Sequence, residues 1–422
     1  MFKRLCIVLV SAISILGLIA CAKIDEPGVI RVWCHQGQEQ ENLAMRAMVE
    51  AFNEAHAAEG IRVIIEFFPD YQYTERISIA AAARDLPDVF DLDGPTVAQF
   101  VDADLLAPLN PFFSEEELND FLDTIIDQGT INSTLYALGA FDSAMVLYYD
   151  KARLSEAGVA PPAEGAAWTW EEFMAACRAL QSAGLDPVSL HMDITADEWY
   201  TYAFSPLLWS AGGALIDPAQ GRVMGVLNDA TNVRVLTAWQ QLFEEGLAAR
   251  APINPDPFGA GETVMDWNGH WMARAHLEAK GDNLGVMPLP RTGPEPVAAC
   301  GSWCWAISAH TPHSDLAIKW LKWVTDPKTG VEPIVRAGGA VPARLSAFEY
   351  FPQYEEDPWR LFKVQLRDHG RPRPKTPFYP NLTQHVAAAL RDIAYGADVE
   401  TRLTRAAEAV QRIVDRRQGA GT

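Results

Sequence analysis

The sequence predicts an α/β protein of at least two lobes, and two observations carry that expectation. The chain has 422 residues, and a single hydrophobic core stops growing at roughly 250–300 residues. The stretch from Val29 to Leu92 alternates strand and helix patterns, the mark of a parallel sheet with helices on its faces.

Ahead of that stretch lies a leader. Lys3 and Arg4 precede an apolar run from Leu5 to Leu18 that ends in Leu18-Ile19-Ala20-Cys21. A charged start, a short apolar run and a small residue at the cut make an export signal. The run falls short of the about 20 apolar residues a spanning helix needs. Removing residues 1–20 leaves 402, and losing Lys3 and Arg4 moves the net charge from −21 to −23. A body this acidic repels phosphate backbones and anionic lipid, so nucleic acid is not an expected partner. No second long apolar run follows Cys21.

Past a linker over 21–28, Val29–Cys34 reads as a buried strand. Glu41–Ala55 reads as an amphipathic helix with Leu43, Ala47, Met48, Ala51 and Phe52 on one face. Ile61–Phe68 alternates as a second strand, Thr74–Arg84 is helical, and Asp88–Leu92 is a third strand. Ligands bind at the carboxyl ends of such strands, here His35–Gln38 and Asp91–Pro95. Leu135–Tyr149 is apolar and extended and reads as a crossing between lobes. Thr169 and Glu172 form a capping box ahead of a helix over Phe173–Ala183. Helices are expected over Asp197–Ala211 and Asn232–Gly246. Strands are expected over Glu262–Trp267, Leu284–Leu289 and Trp303–Ser308. Ser314–Thr325 places Ala317, Trp320, Leu321 and Val324 on one stripe. Arg336–Arg344 reads as a Gly-rich, extended second crossing. Gln384–Tyr395 and Val399–Val414 close the chain as helices.

Four cysteines remain beyond Cys21: Cys34, Cys177, Cys300 and Cys304. They can pair outside the cytoplasm or stay as free buried thiols, and their spacing supports neither a redox pair nor a zinc knuckle. Thirteen Trp is a rich count. Several sit beside Gly, Asn or Ser at segment ends, where clefts form.

Strings along the chain resemble the extracellular solute-binding proteins of ABC importers, in the carbohydrate-binding, maltose- and trehalose-type branch. They include Leu86-Pro87-Asp88-Val89 with Asp93, Leu147-Tyr148-Tyr149-Asp150-Lys151 and Leu208-Trp209-Ser210-Ala211-Gly212-Gly213. Further on come Asn268-Gly269-His270-Trp271, Gly301-Ser302-Trp303, Ala340-Val341-Pro342-Ala343-Arg344 and Thr376-Pro377-Phe378-Tyr379. The leader's end resembles a lipobox, which implies a lipid on Cys21. The resemblance implies a two-lobed periplasmic-binding-protein fold, each lobe a mostly parallel sheet flanked by helices, with the ligand in the cleft between. The lobes are expected over 29–139 with 284–338 and over 140–283 with 339–422. A lipid-anchored monomer outside the cell membrane, working with the importer's permease subunits, is implied. No cofactor or metal is expected.

A sugar ring offers an apolar C–H face and a rim of hydroxyls that both donate and accept. Trp303, Trp271, Trp267 and Trp209 are the expected stacking residues, with Gly212 beside Trp209. The resemblance adds Tyr379. Asp93, Asp142, Arg344, Gln36 and Gln38 are expected on the rim, while His35 reads as structural. A glycan-active enzyme is the competing class. It is disfavoured because no nucleophile elbow, zinc-protease motif or phosphate loop is present. A carrier for a polyol or glycerol phosphodiester would want more Arg or Lys in the cleft segments, which are rich in acids and Trp.

Overall fold

A computed structural model describes residues 26–192 and 197–420; the leader and Cys21 lie outside them. The β-branched run of β1 (Val29–Gln36) is buried along most of its length. The next helix, α1 (Glu39–Ala55), buries Met45, Met48, Val49 and Phe52. The expected stripe is rotated: Leu43, Ala47 and Ala51 are exposed. Met48 and Phe52 are shared by both stripes, but Met45 and Val49 offer more apolar surface to the sheet than the two alanines.

Strand β2 (Arg62–Pro69) pairs in parallel with β1 along its whole length, from Val29 opposite Arg62 to Gln36 opposite Pro69. After α2 (Asp70–Ala83) comes β3 (Val89–Asp93), parallel to the other edge of β1. The expected crossing follows as three short pieces: β4 (Ala137–Gly139), β5 (Phe141–Asp142) and β6 (Met145–Asp150). Helix α3 (Trp170–Ser182) starts on the predicted capping box. Thr169 Oγ1 accepts from Glu172 N at 3.2 Å, and the Glu172 carboxylate accepts from Thr169 N at 2.8 Å. Then come β7 (Asp186–Ser189), α4 (Asp197–Ser210), α5 (Ala230–Glu244), β8 (Thr263–Gly269) and β9 (Leu284–Met287). The chain continues through β10 (Ala298–Cys300), β11 (Trp303–Ile307), α6 (Ser314–Thr325) and β12 (Val341–Pro342). It closes with α7 (Trp359–His369), β13 (Gly370–Pro372), α8 (Tyr379–Ala394) and α9 (Val399–Ala420).

Two sheets organise these elements. The first has the order β2-β1-β3-β11-β4 and the second β9-β6-β8-β7. In the first, β11 returns from the other lobe and runs antiparallel to β3 and β4. In the second, β6 is antiparallel to both β8 and β9. Strands delivered by a crossing rather than by a βαβ unit are free of the parallel constraint.

Membership of the sheets corrects two expected boundaries. Leu284–Met287, assigned to the first lobe, pairs with Met145–Asp150 in the second sheet. The return to the first sheet comes at Ala298–Ser302, where Cys300 bridges to Ala144. The stretch 339–369, assigned to the second lobe, sends Val341, Phe351, Tyr354, Phe362 and Leu366 into the core that holds Ile30 and Val32. The last crossing is 370–376, where β13 pairs in parallel with β10. The Gly-rich segment is extended only at β12; Glu332–Gly338 is a short helix that Gly339 ends in a left-handed conformation (φ 69°). Cys34, Cys177, Cys300 and Cys304 are free and buried, which decides the open question of pairing. Among the described residues, no helix is long and apolar enough to cross a membrane.

Candidate functional site

Antiparallel register puts Trp303, the first residue of β11, directly opposite Asp93, the last of β3. Both are half-buried, at the carboxyl end of the parallel strands, where a ligand is expected. The indole of Trp303 lies flat on the imidazole of His35, with centroids 3.8 Å apart and 9° between planes. Tyr73 sits at its side, 5.7 Å away. Beneath them is Asp91, a buried carboxylate. It accepts from His35 N at 3.1 Å, lies 2.5 Å from His35 Nδ1, and takes the Cys34 thiol at 3.4 Å. A small cavity of about 30 Å³ opens here, bordered by His35, Glu41, Asp91 and Trp303.

Asp93 meets a residue that the sequence reading overlooked. The Arg373 guanidinium grips both of its oxygens, Nη1 at 2.7 Å and Nη2 at 2.5 Å. The same Nη1 donates to Glu198 Oε1 at 2.5 Å, and Tyr379 Oη donates to that oxygen at 2.5 Å. Asp93 ends a strand of the first sheet, Glu198 begins α4 against the second, and Arg373 follows β13 in the last crossing. The network therefore ties the lobes together. Arg373 is almost wholly covered (4% exposed) and lies 4.7 Å over the ring of Tyr202. Burial works against its charge, but Asp93 and Glu198 outweigh burial and hold the guanidinium protonated. Both carboxylates keep further lone pairs for a hydroxyl-bearing partner.

On the second lobe, Trp271 is half-buried, 6.4 Å from Trp199 and 6.1 Å from Tyr202. Gly269 makes room for it: a Cβ there would stand 2.2 Å from the Trp271 ring. Gly269→Ala is therefore expected to turn the indole out of its place and to cost about 1–3 kcal/mol of stability by overpacking. Equilibrium urea denaturation of the variant measures this, and a change below 0.5 kcal/mol (about the effect of a neutral surface substitution) would contradict it.

Several expected ligand residues are engaged in contacts within the protein. Trp267 is buried between Phe173 and Phe204 and donates its indole N–H to Ala203 O at 3.0 Å. Trp209 is buried and covered by the Arg371 guanidinium at 4.9 Å. Gly212 ends α4 with φ 86° and donates to Trp209 O at 3.0 Å, a backbone task. Asp142 is fully covered. It takes the backbone N–H groups of Ser143 at 2.7 Å and Gly301 at 2.9 Å together with the Thr124 hydroxyl, so it staples two crossings. Burial pushes its carboxyl up, against those three donors. Arg344 pairs with Asp120 at 2.9 Å, donates to Glu117 O at 3.1 Å and covers Phe121, which is a local brace. Gln36 and Gln38 are exposed where β1 ends, and the Gln38 backbone N–H donates to the Glu41 carboxylate at 3.0 Å.

Cys34, His35 and Asp91 offer donor atoms within 4.8 Å of one another, the one such trio among the described residues. Their hydrogen bonds already engage these atoms with each other. A metal would have to open the 2.5 Å His35–Asp91 contact, because two ligands each about 2 Å from one tetrahedral ion stand more than 3 Å apart. The trio therefore fits a proton-linked network better than a metal. The larger groove of about 690 Å³, bordered by Phe113, Phe121 and Asp127, holds none of the expected site residues.

Two α/β lobes joined by three crossings, with aromatic and ionic side chains meeting between them, define a hinged ligand-binding protein. The chain belongs to the bacterial extracellular solute-binding proteins, whose family profile matches residues 36–331. It is 22% identical over 401 residues to a maltotriose-binding protein of Pyrococcus abyssi, covering 91% of this chain and 82% of that one. It is 20% identical over 318 residues to an arabinooligosaccharide-binding protein of Bacillus subtilis, covering 70% and 69%. The crystal structure of a cyclic alpha-maltosyl-1,6-maltose binding protein from Arthrobacter globiformis superposes with a TM-score of 0.77 at 24% identity, over 93% of this chain and all of the other.

Proposed function

We propose that the chain is the substrate-binding component of an ABC importer. It holds a neutral sugar or oligosaccharide between its lobes and delivers it, unaltered, to permease subunits. The observation that carries this reading is the meeting of the Trp303 indole and the Asp93–Arg373–Glu198 network at one inter-lobe seam. A flat apolar face beside fixed charged donors and acceptors suits a saccharide's two chemistries. The names of the three relatives reported above, each of which binds a saccharide, support it. A phosphate-bearing ligand is disfavoured, because Arg373 is already matched by two carboxylates. Anchoring through a lipid on Cys21 belongs to the same reading and rests on the leader alone.

A calorimetric screen of sugars and polyols against protein lacking residues 1–21 tests it, and binding without turnover is expected. No heat and no thermal shift with any compound would overturn it. Trp303→Ala is expected to weaken binding by roughly 1–3 kcal/mol while the protein stays folded. An unchanged affinity in the same calorimeter would remove Trp303 from the site.

A further inference from the structure

We infer that His35 is a positioning residue for Trp303: it backs one face of the indole so that the other is held ready for the ligand, and buried Asp91 aims it. This rests on the reading of Trp303 as the ligand platform. The sequence alone suggests a purely structural histidine at a strand end; the geometry assigns it more. The rings are 3.8 Å apart and 9° from parallel, a full stack rather than the tilted contact Trp303 makes with Tyr73 at 59°.

A stacked ring needs its own orientation fixed, and Asp91 supplies that. Its Oδ1 takes the His35 backbone N–H at 3.1 Å and its Oδ2 lies 2.5 Å from His35 Nδ1. The first contact fixes the carboxylate against the His35 main chain, and the second sets the direction of the imidazole. Asp91 is held in turn: it is 1% exposed, and the Tyr73 hydroxyl donates to its backbone carbonyl at 3.1 Å. Register across β3 then sets the last link, since Trp303 stands opposite Asp93, two residues beyond Asp91. The chain of support runs Tyr73, Asp91, His35, Trp303, and Trp303 keeps part of its surface exposed. A free indole loses side-chain entropy when it docks on a sugar; one already stacked has lost it beforehand. His35 would therefore contribute to affinity without touching the ligand.

The test is fluorine NMR of ligand-free protein labelled with 5-fluorotryptophan, with the Trp303 resonance assigned from Trp303→Phe. In His35→Ala that resonance is expected to shift and broaden while the other tryptophan resonances stay in place. His35→Phe, which keeps a flat ring under the indole, is expected to restore a narrow line. Affinity for the saccharide returned by the calorimetric screen should fall about tenfold in His35→Ala and recover most of that in His35→Phe. An unmoved Trp303 resonance in His35→Ala would overturn the assignment. So would equal changes in His35→Ala and His35→Phe, which would mark a merely structural residue. If Trp303→Ala leaves sugar affinity intact, the ligand reading falls instead, and the ligand-free spectra still decide whether His35 holds the indole.

Discussion

Arg373→Ala is expected to lower the unfolding free energy by about 3 kcal/mol and to weaken sugar binding at least about 100-fold. The variant leaves Asp93 and Glu198 facing each other with no cation between them. Removing one partner of a buried ion pair costs about 3–5 kcal/mol, because the remaining charge is left uncompensated. The lower end applies here, since the Glu198 side chain is 36% exposed and can rehydrate. Arg373→Lys keeps the charge but loses the planar fork that reaches both oxygens of Asp93, so an intermediate loss is expected. Urea denaturation and calorimetry of the three proteins measure both effects. A stability change below 1 kcal/mol for Arg373→Ala would show that the ion network holds nothing together, since that is the worth of an exposed pair.

The second large effect is a pH dependence of stability centred on Asp266. This carboxylate is fully buried in β8, 2.5 Å from His191 Nε2 and 2.8 Å from His276 Nε2. Burial alone would push Asp266 up, but the two imidazoles outweigh burial and hold it at about 2. A carboxyl held below its ordinary value stabilises the fold above about pH 4, and that contribution is lost as pH falls toward 2. For His191, burial works downward, yet the bond and charge of Asp266 raise it above its ordinary value. A histidine so raised stabilises fully below its ordinary value near 6.5, and that contribution is lost as pH climbs through the raised one. The cluster therefore contributes most between about pH 4 and 6.5. The carboxylate half is worth on the order of 2 kcal/mol. Unfolding free energies of wild type and Asp266→Asn at pH 3, 5.5 and 8.5 test this. The gap between them should be widest at pH 5.5, and a gap independent of pH would refute it.

Much of the fold could be read from periodicity because its strands and helices bury one repeating face. The stripe Ala317, Trp320, Leu321 and Val324 is buried as spacing predicts, and the capping box at Thr169 forms. Boundaries between lobes were illegible for a physical reason: a crossing strand is as apolar as a core strand. Ala299 is buried in a crossing strand just as Met287 is buried in a sheet strand. The meeting of Asp93 and Trp303 at the seam was legible because strand ends are. Trp267 and Trp303 carry the same indole, and only the packing separates core from seam. Arg344 and Arg373 likewise share a side chain, and only the fold says which cation finds the seam. A trace of the answer was present: Arg371, Arg373 and Lys375 place three cations within five residues of an otherwise acidic chain. Glu198 carried no comparable sign, because an acid in the first turn of a helix is ordinary.

The burial of Cys34, Cys177, Cys300 and Cys304 bears on how the polypeptide matures. Burial raises all four thiols, so few thiolates exist to react. The described fold therefore stands with all four thiols free. Cys300 sits in the second crossing and Cys304 in the adjoining sheet. Alkylating reagents gain these sulfurs only when the polypeptide gives way around them, which makes the two a native clock for loosening at the joint.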